Sequence, residues 1–137
     1  MNRRGIAAVV TLFPFLLIAC GGGRATRPGP FAGYWWGHTR GLQIDADGRG
    51  REIVDDGCCH RVVTARFRIL RVNDASSNVV AHVKFSFVRL DEAVFAKNHV
   101  RPFKSGQVGT LSLRRGVVTD GLTRVTFCAK NVDKCGA

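Results

Sequence analysis

Two long stretches of this chain alternate apolar and polar residues with a period of two. In residues 61–72 (RVVTARFRILRV), Val63, Ala65, Phe67 and Ile69 fall on one face, and Thr64, Arg66 and Arg68 on the other. In residues 79–88, Val79, Ala81, Val83, Phe85 and Phe87 alternate with His82, Lys84 and Ser86. Successive side chains of a strand point to opposite faces, so this pattern predicts half-buried β-strands. No window of 11 or more residues repeats its apolar positions with the 3.6 period of a helix. The nearest approach is 91–99 (DEAVFAKNH), long enough for two helical turns before Pro102 stops it.

Turn signals recur roughly every ten residues between these runs. Asp47-Gly48 reads as a type I′ hairpin joining 41–46 to 51–55. Asp56-Gly57, the cluster 73–78 (NDASSN), Arg115-Gly116 and Asp120-Gly121 punctuate the rest. With short runs at 34–38, 108–114, 117–119 and 122–128, about eight strands are expected. The fold class is therefore all-β, a small antiparallel β-barrel or sandwich after an N-terminal signal peptide. Gly33 followed by Trp35-Trp36 resembles the Gly-x-Trp opening of lipocalin and avidin-like barrels, which implies barrel architecture. Pairing around the 73–78 turn would put Arg66 opposite Lys84 and Arg68 opposite His82.

The first twenty residues read as an export address. Arg3 and Arg4 precede a 15-residue uncharged run, Gly5 to Ala19, that contains Pro14. That run is shorter than the roughly 20 residues a spanning helix needs, and it matches a secretory h-region. It ends Leu17-Ile18-Ala19-Cys20, which resembles the lipobox of bacterial lipoproteins. The resemblance implies a signal peptide at 1–19, removed by cleavage, and lipidation of Cys20. Two acyl chains hold a protein stably on a membrane. Residues 20–30 then form the lipidated Cys and a flexible tether, GGGRATRPGP, with a reach of roughly 17–19 Å. Residues 31–137 form the all-β disulfide-bonded domain. The expected location is the cell membrane or cell envelope, lipid-anchored and extracytoplasmic.

Four further cysteines, Cys58, Cys59, Cys128 and Cys135, remain in the exported part. In an oxidising compartment they read as two disulfides, with three connectivities. A vicinal Cys58–Cys59 bridge strains its peptide and ranks last. The other two patterns close loops of about 70 residues, worth roughly 4 kcal/mol each in the chain-entropy model. A zinc site built from these cysteines and His60 lacks the C-x-x-C spacing of zinc knuckles, so no metal and no other cofactor is expected.

Charge is the other strong signal. The chain has 21 Lys and Arg against 10 Asp and Glu, and without Arg3 and Arg4 the mature chain keeps +9. Arg66, Arg68 and Lys84 lie on the outward faces of two neighbouring strands, where like charges oppose one another at a cost. A bound anion would relieve them, so these three residues are the candidate anionic-surface site. Partners implied are a membrane, through the lipid anchor, and an anionic lipid or envelope glycan. No nucleic acid is expected.

Catalytic signatures are lacking. Asp45-Ala46-Asp47-Gly48 falls short of a calcium loop. Asp55-Asp56 and Asp91-Glu92 sit at turns, where Asp bonds the backbone. His38, His60, His82 and His99 follow no metal-binding spacing. Three functions of different class remain: a non-catalytic binding module for an anionic surface or partner, a barrel holding an apolar ligand among Trp35, Trp36, Phe85 and Phe87, and an enzyme. The first is favoured, with no catalytic residue assigned. The string Trp35-Trp36-Gly37-His38-Thr39-Arg40-Gly41-Leu42, with Asp56-Gly57-Cys58-Cys59 and the terminal Cys135-Gly136-Ala137, resembles small uncharacterised secreted lipoproteins of mycobacteria and related actinobacteria. That resemblance implies a compartment and no mechanism.

Overall fold

A computed structural model describes residues 27–57, 60–75, 77–99 and 101–130. Eight antiparallel strands follow one another around a closed barrel: β1 (Gly33–Gly37), β2 (Arg40–Ile44), β3 (Arg49–Asp56), β4 (His60–Ala75), β5 (Asn78–Leu90), β6 (Val108–Arg114), β7 (Val117–Asp120) and β8 (Thr126–Cys128). Barrel, not sandwich, is the outcome. Closure rests on β8, where Cys128 is the register partner of Trp36 in β1. Arg40 reinforces the seam by donating from Nε to the Thr126 carbonyl at 2.5 Å and from Nη2 to Thr126 Oγ1 at 3.3 Å. Closing the sheet removes unpaired edges that would otherwise pair with another chain.

The turns follow local chemistry. Arg115 and Gly116 both have positive φ, 49° and 77°, as a type I′ turn between β6 and β7 requires. The turn between β2 and β3 differs from the expected type I′. There only Gly48 has positive φ, 81°, and its N–H donates to the Asp45 carbonyl at 2.9 Å. The connection is one residue longer, with Gly alone in the left-handed region. The last strand is also shorter than the expected 122–128. Asp120 draws residues 121–124 into a turn, with its Oδ1 accepting from Leu122 N at 2.8 Å and its Oδ2 from Thr123 Oγ1 at 2.8 Å.

The inward faces form one core. Phe31, Leu42, Ile44, Val63, Phe67, Ile69, Val83, Phe85, Leu111, Val118 and Phe127 are all buried in it. Gly50 lies opposite Phe67 and leaves room for its ring, since a Cβ there would come within 2.1 Å of Phe67 Cζ. Trp35 is buried as well, its Nε1 donating to the Phe31 carbonyl at 2.9 Å. A short helix, α1 (Glu92–Lys97), occupies the expected helical stretch, and Asp91 caps it by accepting from the N–H groups of Ala93 and Val94. Phe95 of α1 meets Phe103 at 6.4 Å between ring centroids, and Phe103 meets Phe85 at 4.8 Å.

Two bulges interrupt the long β4–β5 hairpin. Leu70 is the extra residue on β4, between Ile69 and Arg71, and Ser86 is the extra residue on β5, between Phe85 and Phe87. A bulge bends its strand and re-aims the side chains after it. The hairpin also turns later than expected, with Ala75 opposite Asn78, so the register differs from the one expected around the 73–78 turn. Arg68 pairs with Lys84, Arg66 with Phe87, and Arg71 with His82. Phe87, expected in the core with Phe85, is turned outward and is 44% exposed. Trp36, also placed among the interior aromatics, lies outside at 42% exposure, because alternation along β1 turns its neighbour Trp35 inward.

Candidate anion-binding site

The register gathers cations into two rows on the outer face of the barrel. Arg49 of β3 is the Cα partner of Arg68 of β4, which is in turn the partner of Lys84 of β5. Two pairs further along, past Gly50 and Phe67, Arg51 is the partner of Arg66. Neighbouring strands stand about 4.8 Å apart, and the rows are about 7 Å apart along the strands. All five cations line one open cleft of about 670 Å³, together with Leu70, Ser86 and Gln43. The two bulges flank the Arg68–Lys84 pair and supply Leu70 and Ser86 to the lining.

Little neutralises these charges. Arg51, Arg68 and Lys84 have no ion-pair partner among the described residues. The Arg66 guanidinium stands 5.9 Å from the centroid of the Phe87 ring that the bulge turned outward. Arg49 is paired to Asp47 at 3.3 Å, but both side chains are well exposed, and such pairs are weak. The carboxylate in the lining, Asp45, accepts a hydrogen bond from Gln43 Nε2 at 3.1 Å. Like charges directly across neighbouring strands destabilise a sheet, and here the opposition spans three strands.

Of the residues singled out from sequence, the structure brings Arg66, Arg68 and Lys84 to this one cleft. It adds Arg49 and Arg51, which the sequence reading missed. Their register with β4 is set from the other end of β3, at the Asp56-Gly57 turn signal and across the irregularity at Val54/Asp55, which spacing along β3 does not reveal. Cys20, Cys58, Cys59 and Cys135, and the whole of residues 1–19, lie outside the described residues. Cys128 is described, buried at the end of β8 and engaged rather than free.

Other polar constellations are accounted for locally, with one exception. His60 and Asp91 meet in an exposed ion pair. Asp91 is held below the ordinary carboxylate range first by its bond to His60 and then by the Val94 N–H. That pair caps α1 and ties it to the start of β4. The exception lies inside the barrel. Glu52 and Asp120 are both fully buried, and no N–H or hydroxyl donor meets either Glu52 oxygen. Two carboxylates are both acceptors, so the side-chain hydrogen bond between Glu52 and Asp120 needs a proton, which Glu52 keeps. Burial first, and the Asp120 charge second, push the Glu52 carboxyl well above its ordinary range. Asp120 is raised by burial as well, with the Leu122 N–H and Thr123 hydroxyl opposing. Sequence gave no sign of this, because Glu52 sits beside Ile53, which looks the better core residue.

Among the described residues, no group of three His, Cys, Asp or Glu side chains is placed to hold a metal ion. No helix among them is long and apolar enough to cross a membrane. Comparison with known proteins finds no matching family model, no matching curated protein and no matching solved structure.

Proposed function

We propose that this protein is a non-catalytic, lipid-anchored binding module of the cell envelope, and that its β3–β5 face docks an anionic surface or partner. The observation that carries the reading is the opposition of like charges, Arg49–Arg68–Lys84 beside Arg51–Arg66, around one cleft. An arrangement that costs stability by itself is relieved by an anionic ligand. The anchor is Cys20. The tether keeps the barrel within a few Debye lengths of the headgroups, each about 8 Å at physiological salt. Cys58 and Cys59 bridge to Cys128 and Cys135. Cys128 supports this, being buried and engaged rather than free. A filled interior with Trp36 and Phe87 outside favours the surface over the interior as the binding site.

Vesicle binding tests the reading. The mature chain from residue 20, carrying Cys20→Ser, is mixed with zwitterionic and anionic vesicles. Preference for the anionic set is expected, with loss in salt and in Arg66→Glu/Arg68→Glu. Equal affinity for both sets would leave the charge as solubility alone. In cells, the same Cys20→Ser change should abolish acylation, and a mutant that stays membrane-bound with a normal mature mass would refute the anchor. Non-reducing peptide mapping should find no free thiol in the mature chain, and a Cys58–Cys59 bridge would overturn the pairing.

A further inference from the structure

Resting on the anionic reading of this cleft, we infer that the group it selects is a phosphomonoester, a terminal phosphate, in preference to a phosphodiester. The argument starts from the number of cations per unit of space. A phosphodiester presents one negative charge on two free oxygens. A phosphomonoester carries about −1.5 to −2 at pH 7 on three acceptor oxygens. The row Arg49–Arg68–Lys84 sets three cations side by side, on strands about 4.8 Å apart. That supplies one cation for each terminal oxygen. Arg68, at the centre, offers a planar fork that can give two parallel N–H bonds to one phosphate.

Shape supports the same conclusion. The cations line a recess of about 670 Å³ instead of projecting from a flat face. A recess admits a group that protrudes, and a terminal phosphate protrudes further than a phosphate linked on both sides. The bulges at Leu70 and Ser86 bend β4 and β5 on either side of the row and hold it in the hollow. Asp45 lines the cleft too. Its N–H donates to the Arg49 carbonyl, so its charge stands at the Arg49 end of the row and centres the phosphate on Arg68, with Arg49 and Lys84 as the flanking donors. Arg51 and Arg66 add attraction from the second row.

The experiment uses the mature chain with Cys20→Ser. The barrel closes on itself around its own core, so this chain keeps every contact described above. Two sets of vesicles are prepared with equal zeta potential, one carrying phosphatidate and one carrying phosphatidylglycerol. Binding to phosphatidate should be about tenfold tighter, the worth of one extra charge-assisted hydrogen bond. Arg68→Lys should bring that ratio toward one, because an ammonium has no fork. Free glycerol 3-phosphate should displace the protein from phosphatidate and, in calorimetry without vesicles, bind by itself, which separates the phosphate from the lipid surface as the recognised group. Equal binding at matched potential would overturn this inference while leaving the anionic reading standing. An unchanged ratio in Arg68→Lys, or no displacement by saturating glycerol 3-phosphate, would also overturn it. Binding to neither vesicle would instead refute the anionic reading itself.

Discussion

Replacing Glu52 by methionine removes a carboxyl from inside the barrel while keeping much of its length. Both Glu52 oxygens are buried with no N–H or hydroxyl donor, and the carboxyl has only the like-charged Asp120 beside it; an incompletely satisfied buried polar group costs about 1–3 kcal/mol. Asp120 keeps its own bonds to Leu122 and Thr123 in the variant. The substitution should therefore stabilise the fold by about 1–3 kcal/mol near neutral pH. For a domain of this size that corresponds to about 4–8 °C in Tm per kcal/mol. The gain should also depend on pH, with a definite sign. The Glu52 carboxyl is raised in the folded state, so above the ordinary carboxylate pKa the folded protein keeps a proton that the unfolded chain has lost. Each further pH unit then shifts the equilibrium toward unfolding by up to tenfold per retained proton, until the raised folded pKa is passed. Wild-type stability is full below the unfolded pKa and declines as pH rises above it, and Asp120 contributes in the same direction. The variant keeps only the smaller Asp120 part of that slope. Urea denaturation at pH 5 and pH 8, with disulfides intact and followed by fluorescence of the buried Trp35, measures the difference. A midpoint advantage for Glu52→Met that is no larger at pH 8 than at pH 5 would refute the reasoning. So would a loss of stability at both, which would mean that Glu52 makes a favourable interaction inside the barrel.

Three other substitutions probe the architecture. Gly50→Ala should destabilise by about 1–3 kcal/mol, since the new Cβ meets the Phe67 ring; adding Phe67→Leu should recover part of the loss in the same urea assay. Phe127→Ala, at a fully buried position on β8, should cost about 3–5 kcal/mol and expose the seam with β1, read as faster amide exchange in β7 and β8. Asp91→Ala should loosen α1 and lower Tm at neutral pH. The wild-type advantage should disappear as pH falls through the lowered Asp91 pKa, because the carboxylate that caps the helix and pairs with His60 is then protonated.

Local alternation decided much of this protein. Val63, Ala65, Phe67 and Ile69 lie inward and Arg66 and Arg68 outward, as their spacing requires, because side-chain direction in a strand is a nearest-neighbour property. The all-β class, the eight strands, the one short helix and the Arg115-Gly116 turn follow from the same short-range rules. What alternation cannot carry is anything that depends on counting across an irregularity. One extra residue at Ser86 turned Phe87 from core to surface, and the place where the hairpin turns, with Ala75 opposite Asn78, together with the extra residue at Leu70, moved Lys84 from Arg66 to Arg68. Whether the sheet closed into a barrel or folded into a sandwich waited on a single register contact between Trp36 and Cys128. The meeting of Glu52 with Asp120 and the cation row that begins at Arg49 join residues far apart in the chain. Strand register sets the row and closure of the sheet sets the Glu52–Asp120 distance, and charge and burial energies depend on separation in space and not along the sequence.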